Sequence, residues 1–106
     1  MTQDQRALLQ AWIDRVRSRP SAMCGVFVGE AGQPFGSRAR PWDEPDLLIS
    51  ATVLADGIRL ELDSHGVRVP WVISGVHVVQ EAEHPWGMGL RVAGFSGRAE
   101  EIVWLV

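Results

Sequence analysis

Four residues between positions 77 and 84 have the side-chain chemistry of metal ligands or acid–base catalysts: His77, Glu81, Glu83 and His84. Imidazole and carboxylate groups bind transition metals, and either group can transfer a proton in catalysis. On one strand face, however, His77 and Glu81 would lie roughly 13 Å apart, because a strand rises about 3.3 Å per residue. That separation predicts a solvated face and no metal site, although a ligand pair of Glu83 and His84 with another loop stays open.

Asp63, Ser64 and His65 are the residue types of a hydrolytic triad, but they are consecutive. Neighbouring side chains on a strand point to opposite faces, so these three cannot align as nucleophile, base and orienting acid. The chain also lacks the glycine-rich motifs that bind nucleotides and the G-x-S-x-G motif of hydrolases. The sequence thus predicts no catalytic residue and no cofactor. It leaves enzymatic activity open and favours a non-enzymatic function.

The longest connection, residues 29–46, is rich in glycine and proline. Connections of this length in a compact domain are often functional. Within it, Trp42 follows a proline, which restricts the backbone and lowers the entropy that the indole loses on binding. An aromatic residue between arginine and acid is typical of a protein-interface hot spot. We therefore predict a partner-binding surface, with packing of Trp42 on the core as the alternative; its residues are Arg38, Arg40, Trp42, Asp43 and Glu44.

Three functions from different classes are compatible with this pattern. The sequence favours a binding module that engages a protein partner, of the inhibitor, immunity-protein or accessory-subunit type. The alternative is a small-molecule-binding barrel with weak enzymatic chemistry, whose pocket would use His77, His84 and Trp86. Single-stranded nucleic-acid binding ranks third, because stacking needs exposed aromatic residues and the predicted outward sheet face carries none.

The composition agrees with one acidic globular domain, residues 1–106. The net charge is −3, and all 10 basic residues are arginine. This charge does not favour a nucleic-acid partner, because phosphate binding needs clustered positive charge. The lone cysteine, Cys24, excludes an internal disulfide, and residues 1–20 lack the apolar run of a signal peptide or membrane span. We therefore expect a cytoplasmic protein without a membrane partner.

Residues 2–18 are predicted to form a helix. Thr2 and Gln5 have the spacing of a capping box, and Pro20 ends the segment. Apolar residues recur at helical spacing and would face the core. They are Leu8, Leu9, Trp12, Ile13 and Val16.

The rest of the chain alternates apolar and polar residues with the period of β-strands. The predicted fold is α+β and mainly β: an N-terminal helix followed by a bent antiparallel meander of about six strands, small and barrel-like. Strand segments are predicted at about 23–28, 47–55, 58–64, 67–73, 76–82, 88–95 and 99–106.

Two glycine-containing dipeptides predict hairpin register. Asp56-Gly57 is typical of a two-residue type I′ loop, which would pair Val53 with Leu60. His65-Gly66 predicts a second two-residue loop, which would pair Leu60 with Trp71. Both registers place every apolar residue on one face, so Trp71 is predicted to be a core residue.

The final strand is apolar on both faces. A three-residue loop at 96–98 would pair Leu90 with Trp104. A strand of this type is central, is covered by the helix, or pairs with another subunit. The third arrangement predicts a homo-oligomer formed through residues 102–106.

Pro70 constrains the strand predicted at 67–73. In the register above, its missing N–H points away from the preceding strand. Proline is tolerated there only at a sheet edge or at a bend. Ser74-Gly75 follows closely and predicts a kink before the next strand segment.

Overall fold

The computed structural model describes residues 1–17, 25–30, 46–84 and 87–105. In this part of the chain one helix, α1 (Gln3–Arg17), precedes a set of antiparallel strands. The prediction of an N-terminal helix on a mainly antiparallel β fold is therefore confirmed. The strands are β1 (Gly25–Glu30), β2 (Asp46–Val53), β3 (Gly57–Ser64), β4 (Val67–His84), β5 (Gly87–Ser96) and β6 (Ala99–Leu105).

Strands β2 to β6 form a meander in which each pairs antiparallel with the next. β1 lies alongside β6 from Val26 to Glu30. It also meets the start of β2, where Gly25 is opposite Leu47 and Val26 is opposite Asp46. The order of neighbours is thus β1-β2-β3-β4-β5-β6, with β1 also beside β6. A barrel-like shape depends on the short seam between β1 and β2 and stays a prediction.

α1 begins with the predicted capping box. The Thr2 amide donates to Gln5 Oε1 at 2.8 Å, and the Gln5 amide donates to Thr2 Oγ1 at 3.1 Å. The Gln5 side-chain amide also donates to the carbonyl of His77 in β4 at 3.2 Å. At the other end of the helix, the Arg17 guanidinium donates to the carbonyl of Ala51 in β2. The helix is therefore attached to the sheet at both ends.

The core lies between α1 and one face of the sheet. Leu9, Trp12 and Ile13 of the predicted helical stripe are buried there. A second buried cluster, made of Ala93, Ile102 and Trp104, lies on β5 and β6. The main cluster includes these buried strand residues: Val26, Ala51, Ile58, Leu60, Leu62, Ile73, Val76, Leu90, Val92, Val103 and Leu105.

The β3–β4 hairpin has the register predicted from His65-Gly66. Leu60 pairs with Trp71, as expected. His65 has φ +51 and Gly66 has φ +86, the pair of positive angles that a type I′ turn requires. The Asp63 carboxylate accepts from the Gly66 amide at 2.7 Å. Asp63 and His65 thus serve the turn.

The register predicted for the β2–β3 hairpin is wrong by two residues. Val53 pairs with Ile58 instead of Leu60. Neither Asp56 nor Gly57 has a positive φ, so the loop is not a type I′ turn. Instead, the Leu54 amide donates to the Gly57 carbonyl at 2.8 Å, so the turn is centred one residue earlier, on Ala55 and Asp56. A shift of two residues leaves each side chain on the same face, which is why the predicted burial pattern holds.

Gly57 is required here for a close approach of two strands. A Cβ atom added to it would overlap the carbonyl oxygen of Ile73 in β4. Asp56 has a different partner, because its carboxylate accepts from the Met1 ammonium group at 2.9 Å. This hydrogen bond and the adjacent positive charge lower the pKa of Asp56. Gly57 thus allows two strands to pack closely, and Asp56 forms an ion pair with the N-terminus.

The β5–β6 register is also wrong, by one residue. The loop has two residues, Gly97-Arg98, and Gly97 has φ +62, which fits a type II′ turn. Leu90 consequently pairs with Leu105, and Trp104 pairs with Arg91. A shift of one residue exchanges the two faces of a strand, so Leu105 lies in the main core and Trp104 in the second cluster.

The two segments predicted at 67–73 and 76–82 form one continuous strand, β4. The predicted kink is present as an irregularity of pairing. The register with β5 shifts between Ser74 and Val78, and Gly75 within it has φ +58. β4 therefore pairs with β3 along its first half and with β5 along its second half.

The first half of β4, Val67–Ile73, has a free edge with respect to the described strands. β3 pairs along one side of it, and the β5 ladder begins only at Ser74. Ser64 and Val67 flank a two-residue loop and form a hydrogen-bonded pair, so alternate residues direct their backbone groups away from β3. Among the described strands Pro70 therefore lies at a sheet edge, one of the two alternatives that the sequence leaves open. The residues facing this edge are Arg68, Pro70 and Val72.

β6 is an internal strand of the described sheet. It pairs with β1 on one side and with β5 on the other. Its residues from Glu101 to Leu105 are all buried. The prediction of a homo-oligomer through 102–106 finds no support here, because both backbone edges of the strand are occupied.

We expect the rate of amide hydrogen exchange to alternate along Val67–Ile73. Val69 and Trp71 donate towards β3 and should exchange slowly, whereas Arg68 and Val72 face the free edge and should exchange at least about tenfold faster. Exchange measured by NMR at neutral pH tests this expectation. Equal protection of Val72 and Trp71 would show that another part of the chain covers the edge.

Gly57→Ala should destabilise the protein more than Gly97→Ala. The new methyl group at position 57 meets backbone, which we expect to cost about 3 kcal/mol or to prevent folding. At position 97 the space is open and only the positive φ is strained, at about 1 kcal/mol. Urea unfolding of both variants measures the difference, and equal losses would contradict the close approach.

Candidate functional site

The five residues predicted to bind a partner, Arg38, Arg40, Trp42, Asp43 and Glu44, lie outside the described residues. The structure does describe the two strands from which their segment departs. The segment follows Glu30, the last residue of β1, and ends at Asp46, the first residue of β2.

Both ends of this segment belong to the central sheet. Glu30 is opposite Glu101 of β6 in the ladder. Asp46 is opposite Val26 and is only 4% exposed. Loops that bind ligands are commonly held in this way, by rigid strands at either end.

A buried carboxylate lies where β1 ends. Glu101 is 8% exposed, and its Oε2 atom accepts a hydrogen bond from the Trp71 indole N–H at 3.1 Å. The contact joins the first half of β4 to β6. Burying a carboxylate is costly unless it is hydrogen-bonded, so the indole contact offsets part of this cost. Trp71 packs against the main core as predicted, but it is only partly buried.

Sequence reasoning missed Glu101. The signal was present in the alternation of Glu101, Val103 and Leu105, which share one face of an extended strand. With the correct two-residue loop before β6, this face is the core face. The three-residue loop assumed from the sequence assigned these side chains to the wrong face.

His77 lies on the surface, in the irregular region of β4. Its Nε2 atom is 3.1 Å from Glu100 Oε1, and both side chains are about half exposed. Its ring is 5.8 Å from that of Phe95, at an interplanar angle of 49°. Phe95 in turn covers Gly75, because a Cβ atom added to Gly75 would lie 3.1 Å from Phe95 Cδ2. The pairing irregularity thus determines where the imidazole is held.

A carboxylate that binds one nitrogen of an imidazole orients the ring, as in many acid–base catalysts. Catalysis would also require a nucleophile or a bound substrate at the second nitrogen. The contacts described for the His77 side chain are with Glu100 and Phe95, and neither supplies a nucleophile. Glu100 and Phe95 therefore hold the His77 imidazole in one orientation at the surface, without the further groups that catalysis would need.

The predicted pocket of His77, His84 and Trp86 is described only in part. Trp86 and the side chain of His84 lie outside the described structure. Along β4 the two histidines are seven residues apart, roughly 23 Å for an extended strand. The strand therefore does not bring them together on one small ligand.

The outward face of β2, β3 and β4 is charged. Glu61 lies between two arginines, 3.8 Å from Arg59 and 3.8 Å from Arg68. These side chains are exposed or partly exposed, so the pairs contribute little to stability. Thr52 is on the same face, as predicted. This is the face that single-stranded nucleic-acid binding, the third hypothesis, would use.

Within the described ranges, no three His, Cys, Asp or Glu side chains are grouped so that they could hold a metal ion. None of the described helical segments combines the length and the apolar character needed to cross a membrane.

No protein-family model, no curated protein and no solved structure matches this chain.

We expect Trp71→Phe to destabilise the protein by about 2 kcal/mol, because it removes a hydrogen bond to a buried carboxylate while keeping most of the ring. In a Glu101→Gln background the same change should cost about 1 kcal/mol, since the acceptor is then neutral. Urea unfolding of the four proteins gives the coupling between the two residues. Identical losses in both backgrounds would show that the hydrogen bond does not contribute.

Proposed function

We propose that this chain is a non-enzymatic binding module that engages a protein partner through residues 29–46. Trp42 is the central contact, and charged neighbours surround it. The main support is that a long segment, rich in glycine, proline, arginine and acid, departs from and returns to strands of the core sheet. The surrounding residues are Arg38, Arg40, Asp43 and Glu44.

The chemistry of the segment supports a protein partner. Prolines at 41 and 45 limit the conformations of the chain around Trp42. A restricted loop loses less entropy on binding, so more of the contact energy appears as affinity. Arginine and acid of both signs favour recognition of a mixed-charge protein surface over a uniformly charged polymer. A cytoplasmic location is part of this proposal.

The proposed scaffold is a small barrel of six strands closed by β1. The five-residue ladder between β1 and β6 and the two pairs between β1 and β2 support closure. A closed sheet has no free strand at this seam, which would hold both ends of the 29–46 segment in place. The barrel would then act as a rigid frame for the binding loop.

The alternative, a small-molecule pocket, has less support. His77 is at the surface and paired with Glu100, and large apolar side chains fill the core. Nucleic-acid binding on the outward face of β2–β4 also has less support. The exposed residues of β2, β3 and the first half of β4 include Arg59, Arg68 and Val72 but no aromatic ring for stacking.

We expect Trp42→Ala to abolish capture of a specific partner from host lysate while leaving the melting temperature nearly unchanged. Trp42→Phe keeps an aromatic ring and serves as the matched control, with partial retention of the partner. Affinity capture read by mass spectrometry, together with thermal melting of each protein, provides both measurements. A loss of several degrees on Trp42→Ala would instead make this residue a cover of the core, and unchanged capture would contradict the proposed contact.

A further inference from the structure

A second buried surface lies on the face of the sheet that points away from the main core. Alternate residues of β4, β5 and β6 face this side, and the cluster of Ala93, Ile102 and Trp104 is at its centre. Val78 and Ala82 of β4 pack against the cluster. These five residues are named the outer patch.

The outer patch is buried although the cross-strand neighbours at its centre are too small to cover it. Ile102 is only 6% exposed and Ala93 only 2%. In the two ladders Ile102 lies opposite Gly29 on β1 and opposite Ala93 on β5, and neither residue has a side chain that extends over an isoleucine. A face of an antiparallel sheet that lacks a packing layer is open to water. The low exposure therefore shows that another part of the chain lies over the patch.

The helix is not the cover. The buried residues of α1 belong to the main cluster, which includes Val92 and Val103 on the other face of the same strands. One helix does not pack on both faces of a sheet, and the described strands lie within the sheet and not above it. The cover consequently comes from outside the described ranges, where the internal segments are 18–24, 31–45 and 85–86.

Residues 31–45 start beside the outer patch. They follow Glu30, whose neighbour Gly29 is the residue opposite Ile102. At the other end, Asp46 is opposite Val26, so the two ends of the segment are roughly 14 Å apart. A segment of this length reaches about 50 Å when extended. It therefore has enough chain to pass over the patch and return to β2.

The other two segments start farther away. Residues 85–86 come before β5, at least seven positions from Ala93, which is roughly 23 Å along an extended strand. Residues 18–24 follow α1, which packs on the opposite face of the sheet. Of the three segments, the topology brings residues 31–45 to the outer patch.

The two halves of this segment differ in charge. Residues 31–37, Ala-Gly-Gln-Pro-Phe-Gly-Ser, contain no charged side chain. The four charged residues all lie between positions 38 and 44, around Trp42. Burying an unpaired charge is costly, whereas an aromatic ring gains free energy when it leaves water. The uncharged half, with Phe35, is therefore suited to the apolar patch, and the charged half is suited to solvent and to a partner.

We propose that residues 31–37 dock on the outer patch, with the Phe35 ring against Ala93 and Ile102. Docking holds the start of the segment on the sheet and presents Trp42 beyond it, so Phe35 is a positioning residue for the partner contact. This role of Phe35 rests on the proposed function. The docking itself does not, and each can fail alone.

The test is NMR of protein that carries ¹³C-labelled alanine and isoleucine methyl groups. In wild type we expect nuclear Overhauser effects between the Phe35 ring and the methyl groups of Ala93 and Ile102. A soluble gadolinium chelate should broaden the Ile102 methyl signal as little as that of Ile58, which is 0% exposed. It should broaden the methyl signal of Ile49, which is 38% exposed, much more.

Three variants separate the two halves of the segment. Phe35→Ala should uncover the patch, so that the chelate broadens the Ile102 methyl signal towards the extent seen for Ile49. Phe35→Leu keeps an apolar side chain and is the matched control, in which the methyl group stays protected. Trp42→Ala should leave the Overhauser effects of Phe35 in place. Unchanged protection in Phe35→Ala would contradict the docking, and if this variant does not fold, the wild-type Overhauser effects decide.

Other sources of the contacts would overturn the proposal. Overhauser effects to the patch from residues 18–24 or from Trp86 would assign the cover to that segment, and effects seen only between differently labelled molecules would assign it to a second copy. Partner capture that is lost on Trp42→Ala, without contacts from Phe35, would refute the docking and leave the proposed function intact. Contacts from Phe35 together with capture unaffected by Trp42→Ala would refute the proposed function and leave the docking intact.

Discussion

β4 changes its hydrogen-bonded neighbour halfway along, and the position of the other strands depends on that change. Its first half pairs with β3 and its second half with β5. Three glycines surround the changeover. A Cβ atom on Gly57 would overlap the Ile73 carbonyl, one on Gly94 would lie 2.5 Å from Ile73 Cγ2, and Gly75 has a positive φ. The backbones of three strands therefore meet around Ile73 with no space for further side chains, and Phe95 covers the bend from outside.

The features that the sequence predicts correctly are those with a local cause. The Thr2–Gln5 capping box and the His65-Gly66 turn each depend on residues a few positions apart, and both have the expected geometry. The turn predicted from Asp56-Gly57 was wrong, because Gly57 is required by the close approach of a distant strand. From sequence alone, a glycine required by a turn cannot be told from one required by a close approach to a residue 16 positions away.

The error at β6 has another cause. A strand that is apolar on both faces gives the same pattern in two registers, so burial cannot choose between them. The choice depends on loop length, and Gly97 with its positive φ favours the shorter loop. Glu101 was missed as a consequence, since its face follows from the register. For the candidate sites, the residue types and the strands that carry them can be predicted from the sequence. The pairing of His77 with Glu100 cannot, because it depends on the irregularity of β4.

The side chain of Gln5 uses both ends of its amide, accepting from Thr2 at the start of α1 and donating to His77 in β4. The second contact joins residues 72 positions apart, and the Arg17–Ala51 contact at the other end of the helix spans 34 positions. Contacts between distant parts of a chain require the closure of long loops, so they form after local structure. The helix is the most local element of the fold, yet its docking must wait for β2 and β4. The Gln5–His77 contact would therefore form only late in folding, and the rate at which the helix docks reports on the assembly of the sheet.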